Sequence, residues 1–295
     1  MTMITTLKNN LLTIEIDSHG AELQSITANG SNYNYLWHGD KAFWGRRSPV
    51  LFPIVGSVWN GKYRMDGQEY PLGQHGFARD REFEIVNDCP DDEAWFRLEA
   101  DDDTLALFPR RFRLEIGYSL QGERLNVMWR VSNLDEKPMA FQIGAHPAFN
   151  YPDFSVSDSV HAYLLFDKRS LVAERIAEKG CVGSETLAVT LDETGMLPIV
   201  ADTFAHDAII LADRQVHRVS MLDKARRPYL SLLFDAPLVG LWSPSSNAPF
   251  MCIEPWWGRC DSVGFEGSFE ERSYVNVVAP GETFEAGYMI IFEDL

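Results

Sequence analysis

Apolar residues fall on every second position in five separate stretches of this chain: "LLTIEI" (11–16), "EAWFRLEA" (93–100), "RFRLEIGYSL" (111–120), "RLNVMWRVSN" (124–133) and "YVNVVAP" (274–280). A period of two puts alternate side chains on opposite faces, the pattern of a half-buried strand and not of a helix. Turn residues separate the runs: Asp66-Gly67 in "MDGQ", Gly122 in "LQGE", Pro138 closing "NLDEKP" and Pro280-Gly281 in "APGET". Such short turns join antiparallel neighbours, so hairpins in series are expected. The stretch "SLVAERIAEKG" (170–180) comes nearest to an amphipathic helix, with its glycine as a stop. No Gly/Ser/Pro-rich linker and no fixed repeat divides the chain. The expectation is an all-β fold with little helix: one large antiparallel β-sandwich domain over residues 1–295, with long connections.

Hydrophobic residues make up 45% of the chain and aromatics 12%, against 23% charged, which is enough apolar material for a large core. The formal net charge of -17 disfavours nucleic acid and anionic membranes as partners, because both demand cationic patches. A small or neutral ligand is the partner this balance allows. Cys89, Cys181, Cys252 and Cys260 form no C-x-x-C pair and read as reduced thiols. The opening "MTMITTLKNNLLTIEID" lacks the pattern of a signal peptide, and no apolar run reaches the length of a membrane span. A soluble cytoplasmic protein is therefore expected.

Four segments bring polar groups together with glycine, proline or tryptophan. In "WGRRSPVLFPIVG" (44–56), Arg46 and Arg47 should point to opposite faces of extended chain, and the inward one needs a partner. The pair reads equally well as surface arginines flanking a core strand. In "GQHGFARD" (73–80), Gly73 and Gly76 bracket His75, which is either a solvent-facing loop residue or held close to a ligand. "IGAHPAFNYP" (143–152) ends an apolar run on His146, a ring with an ordinary pKa of about 6.5, immediately before Pro147. In "CIEPWWGRCD" (252–261), Glu254 stands beside Trp256 and Trp257, an arrangement common in sugar sites, and its pKa should rise if water is excluded. No H-x-H, H-E-x-x-H or Cys/His cluster offers metal-ligand spacing, so no metal is expected, and no G-x-S-x-G elbow occurs. A histidine and a glutamate remain, a natural pair for moving protons without a cofactor.

Taken in order, "GRRSPVLFPIVG", "QHGFARD", "GAHPAFNYP", "LLFDAPLVGLWSP" and "CIEPWWGRCD" resemble the aldose 1-epimerase (galactose mutarotase) family, nearest its LacX-type branch, over almost the whole chain. The resemblance implies a β-supersandwich with an open cleft. It implies interconversion of the α and β anomers of an aldohexose by ring opening and closure, with no cofactor. Carried over residue by residue, the general acid falls on His146 and the general base on Glu254. The substrate-binding set falls on Arg47, preferred over Arg46, and on His75 and Asp235; Trp257 and Arg79 are further substrate-binding candidates, Arg79 as a phosphate ligand or else as a structural arginine tied to Asp80 or Glu82. Here His146 is charged and Glu254 ionised, so a bell-shaped pH profile takes its acidic limb from the glutamate and its basic limb from the histidine. "HGFAR" also resembles the hexose-6-phosphate mutarotases, in which arginines hold the phosphate. A hexose-6-phosphate 1-epimerase, or a non-catalytic sugar-binding module on the same fold, is the alternative.

Overall fold

The alternating stretches become strands because each has an apolar face to bury. In the computed structural model, which describes every residue except Met1, Thr2, Asn32, Asp91, Ser246 and Asp294, they form Leu12–Asp17, Glu93–Glu99, Phe112–Gln121, Arg124–Asn133 and Asn276–Val278. Gly122 turns Phe112–Gln121 back onto Arg124–Asn133, with Gln121 opposite Arg124. Asp66 and Gly67 both take positive φ, 51° and 75°, closing a two-residue hairpin between Lys62–Met65 and Gln68–Pro71. No helix of the described residues is long and apolar enough to cross a membrane.

The segment nearest to a helix in sequence is instead a hairpin. Val172–Glu178 and Cys181–Ala188 turn at Lys179-Gly180, both at positive φ, and the first strand also pairs with Ile209–Leu211. Pairing on both sides satisfies the backbone where a lone amphipathic helix would have needed a stripe to bury. Register shifts on either side of Ile176 blur the period of two, which is why the sequence hid the strand. Among the described residues the one α-helix is Asp102–Leu107, capped reciprocally by Asp101 and Thr104.

Two large antiparallel sheets carry the architecture. One has nine strands, with Pro228–Phe234, Thr283–Phe292, Arg124–Asn133 and Phe112–Gln121 adjacent near its middle. The other has eight and runs from Cys181–Ala188 through Leu238–Trp242 and Phe250–Trp257 to Ile143–Ala145 and Val50–Leu51. Val127, Trp129, Leu232 and Ile290 of the first sheet share one apolar cluster with Ile143, Val239, Leu241 and Ile253 of the second. Burial of this kind contributes about 25 cal/mol per Å² of apolar surface and is the main stabilising term.

The middle of the eight-stranded sheet is buried on both faces, while its edge hairpin Val172–Glu178 and Cys181–Ala188 is largely exposed. Every residue of Phe250–Trp257 is buried, so the strand shows no polar alternation. Its odd positions Met251, Ile253 and Trp257 enter the core between the sheets, while Phe250, Cys252 and Trp256 belong to separate clusters on the outer face. Trp256 lies flat there because its neighbours lack side chains: a Cβ on Gly240 would stand 2.5 Å from the indole, and one on Gly144 2.7 Å. Gly240→Ala should therefore lower stability by about 1–3 kcal/mol, read as a lower urea midpoint at unchanged m-value. An unchanged midpoint would show that the indole can lift without cost.

Candidate active site

Glu254 sits on the outer face of the central strand, and His146 comes to it from the neighbouring chain. After Ile143–Ala145 the backbone passes through His146-Pro147 before pairing again as Ala148–Asn150, with Ala148 opposite Cys252. The His146 N–H donates to the Pro49 carbonyl at 3.1 Å, and the Pro147 carbonyl accepts from Ile253 N–H at 3.3 Å. Both sides of the interruption are thus tied down, and proline's missing N–H costs nothing. The imidazole is clamped by stacking on Trp44 (4.7 Å between centroids, 27°) and by the edges of Trp242 (5.5 Å) and His75 (5.5 Å). Its Nε2 lies 3.3 Å from Glu254 Oε2. The two groups are close but not aligned as a hydrogen bond, and neither Glu254 Oε2 nor His146 Nδ1 has a hydrogen-bond partner among the described residues.

His75 is held by a strained loop. Its φ is 65°, its N–H donates to the Gly56 carbonyl at 2.8 Å, and its Nδ1 accepts from Gly56 N–H at 3.1 Å. Accepting at Nδ1 leaves the ring proton of the neutral imidazole on Nε2. Gly76 follows at φ 71°, where a Cβ would stand 2.1 Å from the Phe52 carbonyl oxygen, so only glycine fits. Arg79 enters from the next turn. Its Nη2 donates to the Gln74 carbonyl at 2.8 Å, Asp80 lies 3.9 Å from its Nε, and that Nε makes no hydrogen bond.

These groups line a cavity of about 310 Å³ together with Trp44, Asp207, Trp242 and Trp256, at the small end of the range for small-molecule sites. A larger hollow of about 730 Å³ lies on the outer face of the nine-stranded sheet, against Trp95, Met128, Arg130 and Met289. It contains none of His75, His146 or Glu254, so volume alone does not mark the chemistry.

Burial controls the charges. Loss of water pushes Glu254 well above the usual carboxylate range; the Trp256 indole N–H opposes this and the Asp207 carboxylate adds to it. Burial, with the Arg79 and Arg46 charges, pulls His146 down to about 3. Burial also takes His75 well below its ordinary value, helped by His146, Arg79 and Arg46. Arg79 itself is lowered to about 10, first by burial and then by Arg46. Both shifts favour the uncharged forms, with the proton of the pair on Glu254 and His146 neutral. The sequence leads one to expect an imidazolium beside a carboxylate; at a buried position the neutral pair costs less than two separated charges.

The structure brings His75, Arg79, His146 and Glu254 together and leaves three expected residues outside the cavity. Arg47 is committed elsewhere: its N–H and Nε donate to Glu22 Oε1 (2.8 Å) and the His38 carbonyl (2.9 Å), and its Nη1 meets Gln24 Oε1. Arg46 is the nearer arginine, paired with Asp80 at 2.9 Å and felt electrostatically by both histidines. Asp235 has a side chain 83% exposed and pairs with Arg214 at 2.8 Å. Trp257 points into the core, edge-on to Trp129 at 5.5 Å, because it falls on the opposite strand face from Glu254. Asp207 and Trp256 stand in the cavity instead. Counting by twos from Glu254 would have found Trp256; Asp207, in a turn before Ile209–Leu211, carried no signal of its own.

With this geometry in place, comparison with known proteins gives it a lineage. The sequence profile of the aldose 1-epimerase family matches residues 3–285, and the chain belongs to that family. It is similar in particular to the chromosomal LacX protein of Lactococcus lactis subsp. lactis, 30% identical over 96% of this chain and 97% of that one. Two solved structures superpose on it with TM-scores of 0.90 at 29% identity. A galactose mutarotase related enzyme from Lactobacillus acidophilus covers 98% of this chain and 97% of its own. A galactose mutarotase-like protein from Lactobacillus casei ATCC 334 covers 98% and 99%. The all-β sandwich read from the sequence is thus the galactose mutarotase-like fold.

The proton inventory can be tested without any ligand. At about pH 5, below the ordinary histidine value of about 6.5, nitrogen NMR should find the His75 and His146 rings still neutral. An imidazolium signal from His146 at that pH would refute the neutral pair.

Proposed function

We propose that the protein is an aldose 1-epimerase that interconverts the anomers of a free aldohexose, with Glu254 and His146 as its proton-transfer pair. The observation that carries this reading is the buried contact of 3.3 Å between His146 Nε2 and Glu254 Oε2, opening onto a cavity of monosaccharide size. Fold alone would not be enough, since one fold hosts many activities. Ring opening needs a base for the C1 hydroxyl proton and an acid for the ring oxygen, and a pair that holds one proton supplies both. Sugar hydroxyls bound near Glu254 Oε2 replace the hydrogen bonds this oxygen lacks, which stabilises the carboxylate. The proton then passes to His146 Nε2. Glu254 is left to take the C1 proton and His146 to protonate the ring oxygen; after rotation about C1–C2 the reverse transfers close the ring. Neutral His75, with its proton on Nε2, and Arg79 are hydroxyl donors in this scheme, and Asp207 is an acceptor. Trp256 offers a flat apolar surface to the sugar ring.

Glu254→Gln and His146→Asn should each slow anomer interconversion by about 10²–10⁴-fold with the circular-dichroism spectrum unchanged. A folded Glu254→Gln protein with near-normal turnover of α-glucose and α-galactose in polarimetric progress curves would end this assignment. The pH profile follows from the shifts. The active free protein holds one proton in the pair, gains a second on His146 only near pH 3, and loses the first only well above the usual carboxylate range. kcat/KM should stay level through the weakly acidic range, with the acidic limb belonging to histidine and the basic limb to glutamate, the reverse of the order expected from sequence. A limb near about pH 6.5 that disappears in His146→Asn would contradict it.

A second reading, a hexose 6-phosphate as substrate, is favoured by one observation: the Arg79 Nε is buried with no hydrogen-bond partner among the described residues, in an arginine that lines the cavity, with Arg46 nearby. Asp207 in the same wall and the net charge of -17 favour the neutral sugar. Arg79→Ala should raise KM for free sugars and phosphorylated sugars by similar factors. A loss confined to the phosphorylated sugar, or a wild type active on phosphates alone, would transfer the assignment to the phosphate.

A further inference from the structure

Counting by twos from Glu254 also reaches Cys252, on the same outer face of Phe250–Trp257 and fully buried. The proton-transfer scheme has no use for this thiol. Ligand atoms of His146, Cys252 and Glu254 all lie within 4.8 Å of one another. The separation of His146 Nε2 and Glu254 Oε2, 3.3 Å, is what two ligands at about 2.0–2.1 Å from a tetrahedral zinc ion would show. The sulfur lies within 4.8 Å of the other two ligand atoms and has to close in to reach the Zn–S distance of about 2.3 Å. His146 is 7%, Cys252 0% and Glu254 1% exposed, and Glu254 Oε2 is uncommitted to any hydrogen bond among the described residues. One thiol, one imidazole and one carboxyl make a donor set for Zn²⁺ or Cd²⁺, and a poor one for the oxygen-seeking Mg²⁺ and Ca²⁺. The sequence showed no ligand spacing because His146 is delivered by strand pairing, with Ala148 set opposite Cys252.

We propose that His146, Cys252 and Glu254 form a binding site for thiophilic divalent cations of the zinc class, and that an ion bound there blocks the sugar reaction. Binding makes bonds from the metal to the imidazole nitrogen, the sulfur and a carboxylate oxygen, and releases the thiol proton and the carboxyl proton to water. The two negative charges created balance the ion, so the buried site remains neutral overall. Three protein ligands leave one position for water. The block rests on the function proposed above, because the ion occupies the same nitrogen and carboxylate that move the protons; the binding itself does not.

The test is a Cd²⁺ titration of the full-length, metal-free protein, followed by the ultraviolet sulfur-to-cadmium charge-transfer absorption, with Zn²⁺ as competitor. The band should appear in the wild type and in Cys260→Ala, which removes the thiol that lines the cavity, and be absent from Cys252→Ala. Cys252→Ala should mutarotate sugars at close to the wild-type rate without metal and need about tenfold or more Zn²⁺ for equal inhibition. Should that variant fail to fold, His146→Asn retains the thiol and should bind Cd²⁺ at least about tenfold more weakly. Absence of the band at saturating Cd²⁺, or a band and a Zn²⁺ sensitivity that survive in Cys252→Ala, would overturn the proposal. A normal band in a wild type that anomerises no sugar would instead overturn the assigned reaction and leave the metal site standing.

Discussion

Everything in the site depends on one strand that is wrapped on both faces. Phe250–Trp257 is paired to Leu238–Trp242 on one side and to Ile143–Ala145 and Ala148–Asn150 on the other, with all its residues buried. Its inward face helps hold the two sheets together, and its outward face carries the thiol, the carboxyl and the indole. Because these share a backbone with core residues such as Ile253, the functional side chains inherit the rigidity of close packing. A site on a free loop would have to order itself at each binding event.

Burial of the ionisable groups is the second consequence of that wrapping. The chain carries an excess of acidic groups, yet the charged side chains felt most strongly inside the cavity are two arginines, Arg46 and Arg79. Their field and the loss of water both hold the histidines neutral, while burial holds the glutamate protonated. The overall charge therefore says little about the potential where the sugar would sit. For the two histidines, the nearby charges of Arg79 and Arg46 outweigh distant surface carboxylates that salt screens.

The fold was legible wherever a strand had one wet face. Arg124–Asn133 matches its alternating run residue for residue, and the Asp66-Gly67 turn closes the hairpin its residues advertise. Val172–Glu178 was not legible, because bulges break its period and its partners lie far away in sequence. In the site, His75, Arg79, His146 and Glu254 were visible as polar residues set among glycine, proline and tryptophan. Arg47 and Trp257 lie outside the cavity, since neighbours in extended chain face opposite ways and no motif says which way is in. Asp235 shows the other failure: a carboxylate in a suggestive segment that the fold sends out to solvent, beside Arg214.

The floor of the cavity is laid by two absences. Trp256 can lie flat only because Gly144 and Gly240 present hydrogens where other residues have a carbon, so the depth available to a ligand is set by groups that never touch it. A single added methyl at either place would stand 2.5–2.7 Å from the indole and displace it, altering the chamber's depth and carrying with it the indole N–H that bears on Glu254. Preference among sugars differing in bulk on one ring face could thus drift, or be engineered, from beneath the floor, without replacing the acid, the base or any residue that reads a hydroxyl.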